Sequence, residues 1–334
     1  MNDMEIARGT TDGDNLAIGE PYLVERELQL RSLPYPYPSR YPSSVGEEGL
    51  LDELRPYYAG RHVVVANGAK QALLAAFYAY WALGRVNAVY HEPPYWPSYP
   101  TLAKLSGLDF KSTDLVPDFK TDLHCITSPN NPDGRQITEE QACDIWDAAY
   151  ASPIYNWNGV APDATTIVTS MSKLFGLPGM RVGWLATKSA GVAHYAAQYV
   201  EITTSGVCTM AQESAAGVLR WVRDNPDHMR QRAEVASRLI QANGATFNAM
   251  LSPYCSFTSG VPSDGNGMFA WFKLLDDFAE VFPTALKRAG VTLVSGKACG
   301  VDVPGFWRMN MALDNQVTAA ALARIVEALQ AGGL

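Results

Sequence analysis

Apolar residues along this chain follow two patterns, short β-branched or aromatic runs and longer stretches with helical spacing. The short runs in the first part of the chain predict strands at 62–65, 86–90, 123–127, 165–169 and 181–187. After the first run, one helix face is indicated by the spacing of Leu73, Leu74, Phe77, Tyr80 and Trp81. Strands that alternate with helices predict an α/β fold.

The second part of the chain predicts a smaller α/β unit. Two mostly helical stretches, 192–217 and 218–243, are interrupted by polar residues at 203–206. Three further strands are predicted at 267–272, 291–294 and 306–313. Asp314 or Asn315 then caps a final helix. The apolar face of that helix consists of Leu322, Ile325, Val326 and Leu329.

Composition identifies a globular chain with no general affinity for nucleic acids. Hydrophobic residues make up 47% and charged residues 18% of the 334 residues, which is ordinary for a folded enzyme. The net charge of −8 argues against a nucleic-acid-binding surface, although it leaves room for a small anionic substrate. Five histidines and five cysteines are dispersed without metal-ligand spacing, so no metal site is predicted.

The same features predict a cytoplasmic protein. The scattered cysteines, without a Cys-x-x-Cys pair, indicate reduced thiols rather than a disulfide framework. The acidic first residues lack the basic and then apolar profile of a signal peptide. The longest apolar run, 72–83, is well short of the ~20 residues that cross a bilayer, so no membrane partner is expected.

The candidate chemistry centres on the segment 170–184. Lys173 follows a β-branched run, with Ser170 and Ser172 beside it and Arg181 eight residues further on. A lysine amine can condense with an aldehyde to form a Schiff base, while serine hydroxyls and an arginine fork can bind a phosphate dianion. Glycines at 176, 179 and 183 allow the backbone to turn closely around such a ligand. The segment therefore suits a phosphorylated aldehyde.

Several turns elsewhere supply groups that such a ligand would need. Gly68 opens a helix, whose first N–H groups can bind an anion. Asn131 lies in an Asn-Pro-x-Gly turn after a strand, where a fixed amide can donate a hydrogen bond to a phenolic oxygen. Asp147 precedes Tyr150 by three residues, which places a carboxylate and a phenol close together along the chain.

Together these motifs resemble the fold type I aminotransferases that use pyridoxal phosphate, and more narrowly the tryptophan aminotransferase and alliinase branch. The Ser-x-Ser-Lys motif and the Ser-Pro-Asn-Asn-Pro-Asp-Gly turn carry the resemblance, which extends from Gly19 to Arg308. It implies that Lys173 binds the cofactor aldehyde and that Arg181 binds the phosphate. No Gly-x-Gly-x-x-Gly or P-loop motif offers a place for a dinucleotide or ATP instead.

The resemblance also implies a role for each remaining candidate. Asp147 pairs with the pyridine nitrogen, and Asn131 and Tyr150 contact the phenolic oxygen. The pyridine ring stacks on Trp96, with Tyr95 as the second choice. The other implied contacts are Gly68, Ala69, Lys70, Ser170 and Ser172 at the cofactor, Gly19 and Arg308 at the substrate carboxylate, and Tyr41 from a neighbouring subunit.

The implied architecture is a large domain with a central mixed, mostly parallel sheet flanked by helices, plus a small α/β domain. Residues 1–40 form an N-terminal arm and part of the small domain, 41–235 the large cofactor-binding domain, and 236–334 the rest of the small domain. A homodimer with shared active sites is expected. The segment between Asn131 and Asp147 is too short for the helix that most relatives have there.

The predicted function is amino transfer between an amino acid, aromatic or apolar, and a 2-oxo acid. The main alternative is a pyridoxal-phosphate-dependent decarboxylase or lyase, because these routes differ only in which bond at Cα is broken. Two other readings stay open. Residues 170–173 also satisfy the Ser-x-x-Lys pattern of serine acyl enzymes, although no Lys-Thr-Gly motif accompanies it. The chain could also be a ligand sensor that kept the fold without catalysis.

Overall fold

Two sheets organise the chain, and most of their strands coincide with the apolar runs. The structure, a computed structural model, describes residues 40–112, 118, 120–152, 159–259 and 267–331. The strands of the larger sheet are β1 His62–Ala66, β2 Ala88–Tyr90, β3 Asp109–Lys111, β4 Asp122–Thr127, β5 Ala142–Asp147, β6 Asp163–Ser170 and β7 Gly183–Thr187. Those of the smaller sheet are β8 Cys255–Ser259, β9 Phe269–Leu274, β10 Val294–Ser295 and β11 Phe306–Asn310.

The larger sheet is mixed and mostly parallel, as expected. Its strand order is β1-β7-β6-β5-β4-β2-β3, and all neighbours from β3 to β6 pair in parallel. Strand β7 runs antiparallel to both β1 and β6, and Gly183 therefore pairs with Ala66 on one side and Ser170 on the other. The carboxyl ends of β1, β4, β5 and β6 consequently meet at one edge of the sheet.

Helices cover one face of this sheet along its length and the other face over β1 and β7. The helices of the described residues are α1 Glu48–Leu54, α2 Ala69–Ala82, α3 Tyr99–Leu105, α4 Met171–Leu174, α5 Ala190–Thr204, α6 Thr209–Asp224, α7 Pro226–Met250, α8 Asp276–Ala279, α9 Phe282–Ala289 and α10 Asn315–Gln330. Alternate side chains of β1 face opposite ways, with Val64 in the core under α2 and α5 and Val65 in the core under α1 and α6. The sheet is therefore the middle layer of three.

The smaller sheet is antiparallel, in the order β10-β11-β9-β8. Its core includes Phe247 of α7, Phe282 of α9 and Leu322 of α10, all fully buried. The predicted cap of the last helix is confirmed, because Asp314 accepts hydrogen bonds from the backbone N–H groups of Gln316 and Val317.

Three predicted elements are wrong in their extent. Helix 218–243 is not continuous, since α6 ends at Asp224 and α7 begins at Pro226, which has no N–H for the preceding turn. The strand predicted at 291–294 is reduced to Val294–Ser295. The strand predicted at 306–313 ends at Asn310, whose side-chain oxygen accepts from the backbone N–H of Ala312 and turns the chain.

The two sheets contact each other beside the edge described above. Tyr150, just after β5, packs in the core of the smaller sheet and meets Phe269 edge to face, with ring centroids 5.6 Å apart. The backbone N–H of Tyr95 donates to the carbonyl oxygen of Cys299 at 3.0 Å. The edge of the large sheet thus faces residues of the second unit. Within the described part of the chain, no helix has both the length and the apolarity for a membrane crossing.

Candidate active site

Lys173 and Asp147 follow the ends of neighbouring strands. Asp147 is the last residue of β5 and pairs with Val168 of β6. Strand β6 ends two residues later at Ser170, and the short helix α4 then carries Lys173. Because adjacent strands lie about 4.8 Å apart, both side chains belong to one small region of the sheet edge.

A glycine turn followed by a helix lies at the end of β1, on the other side of β7. Gly68 has φ +81° and ψ 170°, a conformation that favours glycine, and α2 begins at the next residue. The Arg181 guanidinium lies against this turn, with Nη2 donating to the Asn67 carbonyl oxygen at 2.9 Å and Nη1 to that of Pro178 at 3.0 Å. A helix N-terminus and a guanidinium on one turn are groups that could together hold a phosphate dianion.

Gly183 is what allows the turn to lie so close to the lysine segment. A Cβ on Gly183 would be 2.6 Å from the carbonyl carbon of Gly68 and 2.8 Å from the nitrogen of Ala69. Arg181 itself has φ +56°, in the left-handed region that few side chains adopt. A glycine and a strained arginine therefore hold the guanidinium on the turn.

Asp147 is a buried carboxylate that already accepts two hydrogen bonds. Its side chain is 4% exposed. The Tyr99 hydroxyl donates to Oδ2 at 2.7 Å, and the backbone N–H of Ala149 donates to Oδ1 at 3.1 Å. Burial raises the pKa of Asp147 to about 6, and the two hydrogen bonds oppose that rise. A cationic ring nitrogen placed against the carboxylate would stabilise its ionised form.

Asn131 is a fixed amide between Arg308 and Tyr150. Arg308 Nη1 donates to Asn131 Oδ1 at 2.5 Å, and Asn131 Nδ2 donates to the Tyr150 hydroxyl at 3.2 Å. A guanidinium can only donate, so this contact fixes which end of the amide is the donor. The guanidinium carbon of Arg308 also lies 4.3 Å from the centroid of the Phe269 ring.

The structure brings Lys173 near this arginine. Lys173 is half-buried, and burial lowers its pKa, with the positive charge of Arg308 as a second cause. Burial likewise lowers the pKa of Arg308. Ser170 is buried and Ser172 is half-buried, on either side of Met171. A lysine of this kind has a larger neutral fraction than one in water and is the better nucleophile and base.

Trp96 and Tyr95 pack against the same core but make different ring contacts. Trp96 meets the Tyr99 ring edge to face at 5.5 Å, and the ammonium of Lys70 lies 5.3 Å from the Trp96 ring centroid. Tyr95 instead contacts the Phe110 ring at 4.8 Å and packs on Gly300 in the second unit. Trp96 therefore contacts Tyr99, the tyrosine that binds the Asp147 carboxylate.

Two candidates are not part of this constellation in the described chain. Tyr41 is 53% exposed on the surface. Gly19 lies outside the described residues. The sequence reasoning also gave no role to Tyr99, the direct partner of Asp147, although it follows Trp96 by three residues. That spacing on a turn and helix start was the available signal.

These residues fit pyridoxal phosphate. The Gly68 turn with Arg181 could hold its phosphate, Asp147 its pyridine nitrogen, Asn131 and Tyr150 its phenolic oxygen, and Lys173 its aldehyde. The observation that tests this fit is the close approach at Gly68, where a Cβ would overlap the Arg181 guanidinium. A phosphate therefore can reach the helix N-terminus and the guanidinium together.

A family model and several similar proteins all point to aminotransferases. The model of aminotransferase class I and II matches residues 39–325. Tryptophan aminotransferase-related protein 2 of Oryza sativa subsp. japonica is 28% identical over 284 residues, covering 73% of this chain and 55% of that protein. The probable aspartate/prephenate aminotransferase of Aquifex aeolicus is 25% identical, covering 85% of this chain and 79% of that protein.

Solved structures of aminotransferases have the same fold as this chain. The crystal structure of aspartate aminotransferase from Thermotoga maritima has a TM-score of 0.69 at 23% identity, covering 98% of this chain and 94% of that chain. This chain spans only 40% to 60% of the length of three similar plant proteins related to tryptophan aminotransferase. Members of the matched family depend on pyridoxal phosphate. With its fold and the family match over most of its length, the chain belongs to the class I and II aminotransferases, of fold type I.

Proposed function

We propose that the protein is a pyridoxal-phosphate-dependent aminotransferase that moves an amino group between an amino acid and a 2-oxo acid. The observation that carries the proposal is the position of Lys173 and the buried carboxylate of Asp147 after adjacent strand ends. This pair suits a pyridine aldehyde, because the amine can bond to the aldehyde carbon while the carboxylate pairs with the ring nitrogen.

The phosphate is proposed to bind at the start of α2. The backbone N–H groups of Ala69 and Lys70 begin that helix, and the guanidinium of Arg181 lies against Gly68. The hydroxyls of Ser170 and Ser172, which both precede Lys173, are proposed to complete the phosphate contacts. Ala69 has no hydroxyl to offer, so its contribution is the backbone N–H alone.

The ring is proposed to lie between Trp96 and the end of β6. Asp147 then accepts from the ring nitrogen, while Asn131 Nδ2 and the Tyr150 hydroxyl lie at the phenolic oxygen. The fixed orientation of the Asn131 amide supports this assignment, because its donor end is directed away from Arg308. Trp96 is proposed for the stacking residue in preference to Tyr95, which packs against Gly300.

Lys173 is proposed to move the proton in the reaction. The bound cofactor withdraws electrons from Cα of an attached amino acid and thereby makes its proton acidic. Once the substrate amine had replaced Lys173 at the aldehyde carbon, the lysine amine would take the Cα proton and deliver it to that aldehyde carbon. Burial and the charge of Arg308 lower the pKa of Lys173, which increases the fraction of neutral base.

Arg308 is proposed to bind the substrate α-carboxylate through its two-pronged guanidinium. Its half-buried position over Phe269 and its contact with Asn131 support this role, because the same residues would surround a substrate whose amine had replaced Lys173 at the cofactor aldehyde. An aromatic or apolar amino acid is the proposed substrate. Support comes from the plant relatives named for tryptophan aminotransferase.

A homodimer with shared active sites is also proposed, located in the cytoplasm. An open groove beside the lysine segment supports a subunit contact there, and its lining includes Leu177, Pro178, Met180 and Met210. The exposed Tyr41 is proposed to reach the phosphate of the neighbouring subunit. The chain is further proposed to divide at about residue 235, within α7, into a large domain from 41 and a small domain that continues to 334.

The test is product analysis with a panel of amino acids. The protein is loaded with pyridoxal phosphate and incubated with single amino acids and a 2-oxo acid acceptor, and products are identified by mass. The expected products are the 2-oxo acid of the donor and the amino acid of the acceptor. Lys173→Ala is expected to abolish the reaction. Lys188→Ala is the matched control, because Lys188 is half-exposed and paired with Asp163.

Release of carbon dioxide and an amine, without a new 2-oxo acid, would favour the decarboxylase alternative. Elimination products would favour a lyase. Tight binding of pyridoxal phosphate without turnover of any amino acid would contradict both enzyme proposals and leave a ligand sensor.

A further inference from the structure

A chain of hydroxyl groups extends from the back of Asp147 into the core. The Tyr99 hydroxyl lies 2.7 Å from Asp147 Oδ2 and 2.6 Å from Thr127 Oγ1. Thr127 Oγ1 lies 3.0 Å from Nε2 of His91, whose ring also stacks on Tyr99 with centroids 4.8 Å apart. All four side chains are buried, with exposed fractions between 0% and 6%.

The direction of these hydrogen bonds follows from a count of protons. His91 Nδ1 lies 2.8 Å from the carbonyl oxygen of Glu92, which can only accept, so Nδ1 carries the proton of a neutral ring and Nε2 accepts. Burial lowers the pKa of His91 to about 4, which keeps the ring neutral at neutral pH. The chain has three contacts, Asp147–Tyr99, Tyr99–Thr127 and Thr127–His91. With Asp147 ionised, only the hydroxyls of Tyr99 and Thr127 have protons to donate, so two protons serve three contacts.

The effect on the Asp147 carboxylate depends on which oxygen accepts the Tyr99 proton. When Tyr99 donates to Asp147, the ionised carboxylate is stabilised by a charge-assisted hydrogen bond. When the Thr127 proton points to His91, the Thr127 oxygen is open to accept from Tyr99 and competes with Asp147 for that single proton. The Tyr99 hydroxyl therefore promotes ionisation of Asp147, while neutral His91 opposes it through Thr127.

We propose that Tyr99 is a positioning residue that keeps the Asp147 carboxylate ionised and so keeps a proton on the pyridine nitrogen of the bound cofactor. The inference rests on the proposed function, since it requires the ring nitrogen to meet Asp147. A proton shared by a carboxylate and a pyridine lies with whichever base is stronger. Removal of a hydrogen bond to the carboxylate strengthens Asp147 as a base and moves the proton toward it.

The experiment reads the pyridine nitrogen directly. Wild type and Tyr99→Phe are loaded with pyridoxal phosphate labelled with ¹⁵N in the ring, and the ¹⁵N chemical shift of the bound cofactor is measured at pH 7.5. Tyr99→Phe is expected to move the ratio of protonated to unprotonated nitrogen about ten- to hundredfold toward the unprotonated form, since a charge-assisted hydrogen bond is lost. His91→Phe, which keeps a stacking ring, is expected to produce no shift in that direction.

Tyr80→Phe is the matched control. Tyr80 is a buried tyrosine of the same core whose hydroxyl contacts Thr166 Oγ1 at 3.1 Å, and it does not contact Asp147. Thr127→Ser tests the middle of the chain, because it retains the hydroxyl and should keep the wild-type shift. Both variants report whether loss of core packing alone alters the signal.

The outcomes separate the inference from the function on which it rests. A ¹⁵N shift in Tyr99→Phe equal to that of wild type would overturn the inference, as would an equal displacement in Tyr80→Phe. An unprotonated nitrogen in wild type, or no bound cofactor, would instead contradict the proposed role of Asp147 or the proposed function. If Tyr99→Phe does not fold, an opposite or unchanged shift in His91→Phe supports the inference, and a shift toward the unprotonated form overturns it.

Discussion

The substitution Gly68→Ala tests the phosphate turn, because two effects of an added Cβ can be separated there. Gly68 has φ +81° and ψ 170°, a region in which a non-glycine residue costs about 1–3 kcal/mol. The Cβ would also lie 3.0 Å from the guanidinium carbon of Arg181 and overlap Nη2, so the guanidinium must move off the turn. The first effect lowers stability, and the second changes the anion site.

The displaced guanidinium determines the expected loss of cofactor affinity. A hydrogen bond to a charged group contributes roughly 1.5–3 kcal/mol. Loss of one such bond to the phosphate is expected to raise the Kd for pyridoxal phosphate about ten- to hundredfold. The free energy of unfolding of the cofactor-free protein is expected to fall by about 1–3 kcal/mol from the backbone conformation.

Gly60→Ala is the matched control for backbone strain. Gly60 has φ +73°, and no atom lies within 4 Å of a Cβ built there. Cofactor affinity is measured by equilibrium dialysis and stability by urea denaturation of the cofactor-free proteins. Gly60→Ala should lose stability and keep the wild-type Kd. If Gly68→Ala binds pyridoxal phosphate as tightly as Gly60→Ala does, Arg181 and this turn do not hold the phosphate.

Two further substitutions test the buried carboxylate and the contact between the two units. Burial raises the pKa of Asp147 from 3.8 to about 6, so the folded cofactor-free protein binds this proton more tightly than the unfolded chain. The stability of wild type relative to Asp147→Asn should therefore fall by about 2 kcal/mol as the pH rises from about 4 to about 6, and by about 3 kcal/mol in all once the pH is well above 6. Urea denaturation at each pH measures this difference, and a constant value would contradict the raised pKa. Gly300 has φ +80°, and a Cβ added there would lie 2.6 Å from Tyr95 Cζ. Backbone strain and overpacking should therefore lower the free energy of unfolding of Gly300→Ala by about 2–5 kcal/mol. Gly290→Ala, at φ +64° with open space around it, should cost only about 1–2 kcal/mol in the same assay, and equal losses would show that the Tyr95 contact is unimportant.

Much of the fold was predictable because its strands are short apolar runs bounded by turns. The five strands predicted before residue 190 all occur, since each is a short, mostly apolar run with most of its side chains buried. The residues at which helices and strands end were less predictable. Asn225–Pro226 divides a stretch with continuous helical spacing, and Asn310 ends a strand through its own side chain.

The site was predictable where its residues lie in local motifs and not where they meet only through the fold. Lys173, Arg181 and the Gly68 turn are recognisable from neighbouring residues along the chain. The hydroxyl chain behind Asp147 is not, because Thr127 ends β4 while Tyr99 begins α3 and His91 follows β2. The approach of Gly183 to Gly68 depends on the antiparallel strand β7, which local spacing does not indicate.

The central claim is that Lys173 carries the cofactor, and reductive trapping tests it most directly. The protein loaded with pyridoxal phosphate is reduced with borohydride and digested, and the modified peptide is sequenced by mass spectrometry. We expect a single pyridoxyl group on Lys173, and no such group in Lys173→Ala. A pyridoxyl group on another lysine of the wild-type protein, or none at all, would contradict the account.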